Sequence, residues 1–380
     1  MPPEESDPTP TLPPGQLHQQ HFEQGNTYLE QEEWDKAIVE YSKAIELNPE
    51  FADAYAKRAV AYNEKSDYYE LAILDSEKAI ELDPLVKLDS SLARAYVKRG
   101  EYYAQFITGS YEDDEKDFDQ AVADFTRAIE LNPRLAEAYK GRADCYVDYI
   151  GEHLGETVSY DKTIGDYNMA IALDPTNATY YISRAWAFDI AGDYDKALVD
   201  ITKAIELDPT NAAYYRSRGL TYMDVSNYTK AIADFTKAIE LEPEDNHSYS
   251  YCGEAYMEKG SYDLAVIDYT KAIELTPKSW WLSHLYNERG GVYLKQGDYD
   301  KAIADYTKAI ELDEFSSPVY YNDRAFAYLE QQNYDLAIAD SSKAIELYSE
   351  YDDAYWVRGK AYAALGRKDK KTIKAAQQQQ

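Results

Sequence analysis

Apolar and polar positions alternate along the chain in two helical patterns. Tyr181, Ala185 and Phe188 form one set, and Tyr194, Ala197, Ile201, Ala204 and Leu207 form the next. Spacings of three and four put each set on one face of a helix. Small residues at the middle positions let two such helices approach closely. A Gly-Asp or polar pair makes the turn between them, and proline stops the second helix. The string Lys-Ala-Ile-Glu-Leu recurs at 43–47, 78–82, 203–207, 237–241, 271–275, 308–312 and 343–347, with variants at 127–131 and 169–173. The prolines that follow, Pro49, Pro84, Pro133, Pro175, Pro209, Pro243 and Pro277, are separated by 35, 49, 42, 34, 34 and 34 residues, which sets a basic period of 34. One helix pair cannot bury its apolar face alone, but stacked pairs share a continuous core.

An aromatic residue, Gly or Ala, Tyr, Ala, an aromatic residue, Ala and Pro, in that order over 34 residues, resembles the tetratricopeptide repeat. The resemblance covers roughly residues 18 to 366. Tyr55, Tyr96, Tyr139, Tyr181, Tyr215, Tyr249, Tyr286, Tyr321 and Tyr355 mark the first helices, preceded by an atypical repeat with His21. It implies an all-α fold, a right-handed superhelical solenoid of antiparallel helix pairs over 17–366, with nine repeats and a final half-repeat. Most of the 39 tyrosines then fall at core positions and need no binding role. Residues 1–16, rich in proline, are expected as a disordered tail, and 367–380 as a basic, Gln-ending tail that is partly a capping helix. Two insertions, near 105–116 and 150–159, enlarge the turns of the third and fourth repeats and should emerge on the same edge of the stack.

Charge and chemistry narrow the function. The formal charge of −31 disfavours nucleic acid and anionic membrane surfaces. No run long and apolar enough for a membrane span occurs, and the N-terminus lacks the pattern of a secretory signal. Cys145 and Cys252 are too few for a disulfide framework, so a reducing, cytoplasmic setting is expected. None of His18, His21, His153, His247 and His284 sits in a nucleophile motif, and His18 and His21 lack a third metal ligand nearby. No phosphate-binding loop is present, and the many carboxylates follow the repeat. No enzyme activity, cofactor or metal is expected.

One charge pattern is periodic. Arg58, Arg99, Arg142, Arg184, Arg218, Arg289, Arg324 and Arg358 share a first-helix position, and Asp75, Asp124, Asp166, Asp200, Asp234, Asp268, Asp305 and Asp340 share a second-helix position, with Glu40 in the first repeat. Charges facing a core need partners. The first repeat has Glu40 but Gln24 in place of Arg, and the final half-repeat has Arg358 but no second helix. Pairing each acid with the arginine of the next repeat, Glu40 with Arg58 through Asp340 with Arg358, strands neither end. It leaves only Asp234 unmatched, opposite Cys252.

The family resemblance implies binding of a peptide or protein segment in the groove lined by first helices. Its best-known ligand chemistry is a clamp of Lys, Asn and Arg on the C-terminal carboxylate of a chaperone. Here Asn26 matches one clamp position, but Phe22, Lys57 and Lys98 replace the lysine, the second asparagine and the arginine. Ile182, Trp186, Ile190, Leu220, Met223 and Met257 are expected to form an apolar patch in the groove, with Asp189, Asp224, Glu254 and Glu258 selecting partners that carry Lys or Arg. The equivalent positions of the first four repeats are mostly polar, among them Asn26, Glu30, Asn63, Glu64, Glu101, Lys140 and Asp144, with Val60 and Val97 as exceptions. The expected function is a non-catalytic protein-interaction scaffold, with a chaperone-peptide binder and a non-catalytic subunit of an enzyme complex as alternatives.

Overall fold

A computed structural model describes residues 14–65, 68–86, 88, 90–107, 114–152, 160–313 and 317–367. The described residues form nineteen helices and no strand. They divide into two compact bodies, Met1–Gly192 and Asp193–Gln380. The first contains α1 (Pro14–Glu30), α2 (Trp34–Leu47), α3 (Ala52–Asn63), α4 (Tyr69–Leu82), α5 (Ser91–Ala104), α6 (Asp114–Leu131), α7 (Ala136–Glu152), α8 (Tyr160–Leu173) and α9 (Ala178–Ile190). The second contains α10 (Tyr194–Leu207), α11 (Ala212–Asp224), α12 (Tyr228–Leu241), α13 (Asn246–Glu258), α14 (Tyr262–Leu275), α15 (Trp280–Gln296), α16 (Tyr299–Leu312), α17 (Pro318–Glu330), α18 (Tyr334–Leu347) and α19 (Asp352–Ala364). Helix α1 takes in Pro14, Gly15 and Gln16, which the sequence pattern assigns to a tail. The remainder of that tail, residues 108–113 and 153–159 of the two insertions, and the capping segment beyond Arg367 lie outside the described residues.

Local chemistry sets the helix ends. After Pro175 and Pro209 the chain reaches Asn177 and Asn211, whose side chains accept from the backbone N–H of Thr179 and Ala213 and so satisfy donors that open α9 and α11. The turn between paired helices needs a left-handed residue. Gly192, Gly260 and Gly297 supply it without strain at φ of 75–79°, whereas Glu32, Ser226 and Gln332 adopt it at 57–67°.

Six of the nine pairs close on one large aromatic residue, and Ser76, Ile201 and Ser341 take its place in the others. Tyr41, Phe125, Tyr167, Phe235, Tyr269 and Tyr306 of the second helices are fully buried. A small residue of a first helix lies against that ring, and a Cβ added at Gly219 would stand 2.5 Å from Phe235. Larger side chains there would hold the helices apart, which is why the sequence keeps Gly or Ala at this point.

Contacts between alternate helices run between first helices, α1 with α3, α3 with α5, α5 with α7 and α7 with α9 in one body, and α11 with α13, α15 with α17 and α17 with α19 in the other. First helices therefore crowd the inner side of each stack, and their outward-turned side chains line a groove within each body.

Candidate partner-binding groove

The arginines pair differently from the expectation drawn from the array ends. Arg58 forks onto Asp75 of its own repeat, with Nε 2.6 Å from Oδ2 and Nη2 2.8 Å from Oδ1. Arg99 pairs in this way with Asp124, Arg142 with Asp166, Arg218 with Asp234, Arg289 with Asp305 and Arg324 with Asp340, each at 2.7–2.8 Å through Nε. The pairing of each acid with the next repeat's arginine is thus overturned. The two positions face each other inside one helix pair, where the planar guanidinium can meet a carboxylate with two parallel bonds.

The ends find other solutions. Glu40, without an arginine in its repeat, binds His21 Nδ1 at 2.6 Å and Lys43 Nζ at 2.7 Å. Arg358 reaches Ser342 Oγ at 3.3 Å, and its buried Nε has no partner. Asp234 is fully paired, so the unmatched acid is Asp268, in the same repeat as Cys252. Burial pushes the Cys252 thiol up, and the nearby Asp268 adds to this. Burial also raises the Asp268 carboxyl, against a hydrogen bond from Cys252, and Asp268 Oδ2 is left without a partner.

The register between repeats comes from the arginine's other arm. Nη1 of Arg58, Arg142, Arg218, Arg289 and Arg324 donates to Ser42, Thr126, Thr202, Thr270 and Thr307 on the preceding second helix, at 2.9–3.3 Å. The sequence carries this signal in the Ser or Thr directly before seven of the nine recurring strings, with Glu77 and Asn168 before the other two. Tyrosines bracket the same cation. The Arg289 guanidinium lies 5.4 Å from the Tyr286 ring centre and 5.9 Å from that of Tyr293.

The residues expected to bind a partner fall into three groups. Trp186 is 62% exposed and Ile190 44% exposed on α9, with Ile182 and Asp189 half-buried beside them. Leu220 and Met223 on α11 pack partly against the core around Phe235, and Met257 on α13 packs partly against the core around Tyr269. They are thus shared between core and groove. Asp224, Glu254 and Glu258 are exposed.

In the first body most groove positions satisfy one another, although Asn63 Oδ1 is buried without a partner. Tyr41 Oη donates to Asn26 Oδ1 at 2.9 Å, Asn63 Nδ2 donates to the Ser91 carbonyl at 2.7 Å, and Lys98 Nζ donates to the Asn63 carbonyl. Lys140 pairs with Asp144, which also accepts from Tyr167. Phe22, at a clamp position, packs against Tyr41 and Phe51.

The second body differs. Along its first helices run Asp224, Glu254, Glu288, Asp323 and Asp353, and among the described residues no Lys or Arg forms an ion pair with Glu254, Glu288 or Asp323. Burial, then Asp323, pushes Glu288 up to about 7. Asp323 is raised by burial and by Asp353. Glu254, although its side chain reaches the surface, is raised by partial desolvation, then by Glu288 and Glu258. Asn287 donates from Nδ2 to Asp323 Oδ2 at 3.0 Å, while its Oδ1 is buried without a partner. The sequence reading missed Glu288, Asp323 and Asn287. Their signal lay directly before the periodic arginine, where Lys57 and Lys98 of the early repeats give way to Glu288 and Asp323.

Family models described as TPR repeat or tetratricopeptide repeat match residues 25–66, 52–84, 106–148, 178–211, 212–245, 252–279, 284–316 and 322–370. The chain belongs to the tetratricopeptide repeat family. It is 28% identical over 129 residues to the Hsp70-Hsp90 organizing protein 3 of Arabidopsis thaliana, a match covering 34% of this chain and 20% of that protein. It is 33% identical over 120 residues to the small glutamine-rich tetratricopeptide repeat-containing protein 2 of Mycosarcoma maydis, covering 32% of this chain and 30% of the relative. The match therefore spans less than a third of either relative's length. Yeast Tom70 is similar in structure, with 19% identity and a TM-score of 0.47 over 96% of this chain and 91% of Tom70. Among the described residues no helix is long and apolar enough to cross a membrane, and no group of three or more His, Cys, Asp or Glu could hold a metal ion.

Proposed function

We propose that this chain is a non-catalytic scaffold of the cytoplasm that holds a segment of a partner protein against its first helices. The observation that carries this reading is Trp186, held 62% exposed on a first helix whose other aromatic residues are buried. A large exposed ring on an ordered helix is costly in water and gains most from a partner that covers it. Ile182 and Ile190 supply further apolar surface on the same helix, with Asp189 beside them; within the second body Leu220, Met223 and Met257 offer apolar surface on first helices that carry Asp224, Glu254 and Glu258, and such acids favour partners with Lys or Arg.

The test is capture of native partners by the full chain and by Trp186→Ala. The variant should lose affinity by about 2 kcal/mol or more, with helicity unchanged. Equal capture by both proteins would exclude this surface.

The organizing-protein relative favours a second reading, binding of chaperone C-terminal peptides. Against it stand the packing of Phe22 into the core and the engagement of Asn26 by Tyr41. Chaperone tails with a free and with an amidated C-terminus separate the two, since a clamp requires the carboxylate.

A further inference from the structure

We propose that the acidic stripe of α13, α15 and α17 recognises one cationic side chain, a lysine or arginine of a bound peptide segment, received between Glu288 and Asp323 next to the amide oxygen of Asn287. This deepens the groove reading above and rests on it. Three successive first helices bring Glu288 within electrostatic reach of Glu254 on one side and Asp323 on the other, and Asn287 beside Glu288 touches Asp323 at 3.0 Å. In the first body lysines answer the groove carboxylates: Lys140 pairs with Asp144, and Lys140 and Lys98 act against the burial of Glu101. His284 Nδ1 is 3.9 Å from Glu288 Oε1, too far for a hydrogen bond, and burial lowers its affinity for a proton.

Asn287 is the second, independent observation. It is only 8% exposed, its Nδ2 is fixed on the Asp323 carboxylate, and its Oδ1 finds no donor. A buried amide oxygen left unbonded has lost its water without gaining a donor in return. On the next first helix Asn322 repeats the feature, at 7% exposure with Oδ1 also unpartnered. The Glu288 and Asp323 carboxylates and the Asn287 amide oxygen make a set of acceptors. Ammonium and guanidinium groups are donors only, so they match it, and an acidic or neutral acceptor group does not.

A site that gathers like charge for a ligand should weaken the fold that holds it. The two properties can therefore be separated. Random peptides displayed against the full chain at near-neutral pH and low salt should be enriched in Lys or Arg. For a selected peptide, replacing that residue by norleucine should weaken binding at least about tenfold. The double variant Glu288→Gln, Asp323→Asn should show a similar loss while melting at a higher temperature, and Glu274→Gln on the exposed face of α14 should bind normally. Selected peptides without basic enrichment, or a norleucine peptide that binds as well, would overturn the cation site and leave the groove standing. Selection of no peptide at all would remove both. The norleucine comparison uses the unaltered chain, so it decides the matter even if the double variant misfolds.

Discussion

Removing one carboxylate charge should have opposite effects in adjacent repeats. Asp234 accepts two bonds from Arg218, and the side chains are 9% and 19% exposed. Asp234→Asn leaves a largely buried guanidinium uncompensated. Breaking a buried pair costs roughly 3–5 kcal/mol, and the remaining exposure of Arg218 places this case near about 3 kcal/mol. Asp268 occupies the same position one repeat on, but Cys252 replaces the arginine, and Oδ2 is unpartnered. Asp268→Asn removes a charge that burial already disfavours, so it should be neutral or stabilising by about 1 kcal/mol. A stack of repeats need not unfold in one step, so a global melting curve can blur the difference. Native-state amide exchange resolves it: α11 and α12 should lose protection in Asp234→Asn, while α13 and α14 keep or gain it in Asp268→Asn. Equal losses in both variants would mean that Asp268 has a cationic partner, and the pairing within repeats would then be wrong.

Further outcomes follow from the same contacts. Gly219→Ala should destabilise by about 1–3 kcal/mol in urea melts, because its Cβ would lie 2.5 Å from Phe235. Gly165→Ala, with nothing within 4 Å, should instead gain up to about 1 kcal/mol from helix propensity. Glu288 ionises at a higher pH folded than unfolded, so its contribution to stability is complete below about 4.3 and is lost as pH rises through about 7. The groups around it are Glu254 on α13, Tyr269 on α14, His284 on α15, Tyr306 on α16, and Tyr320 and Asp323 on α17. The second body should therefore melt at a lower temperature as pH rises from about 6 to 8, and Glu288→Gln should flatten that trend.

The repeat period, the helix pairs and the buried aromatic positions were legible in the sequence because they depend on local spacing. Three- and four-residue steps put Ala197, Ile201 and Ala204 on one face whatever surrounds them, and all three are buried. The family followed from the same regularity. Pairing between charged positions was not legible, because two lattices of Arg and Asp with one period fit equally well within a repeat or one repeat apart. Counting ends chose wrongly, since His21 could answer Glu40 and Arg358 Nε could remain unpaired. The groove divides along the same line. Sequence register placed Trp186 and Glu254 on first helices, but how much of Leu220 or Met257 the core takes up depends on packing across neighbouring helices. Asn287 and Glu288 are neighbours on one helix, and Asp323 lies on another, 36 residues from Asn287. Only stacking brings them together, and there the Glu288 carboxylate loses water and meets its like.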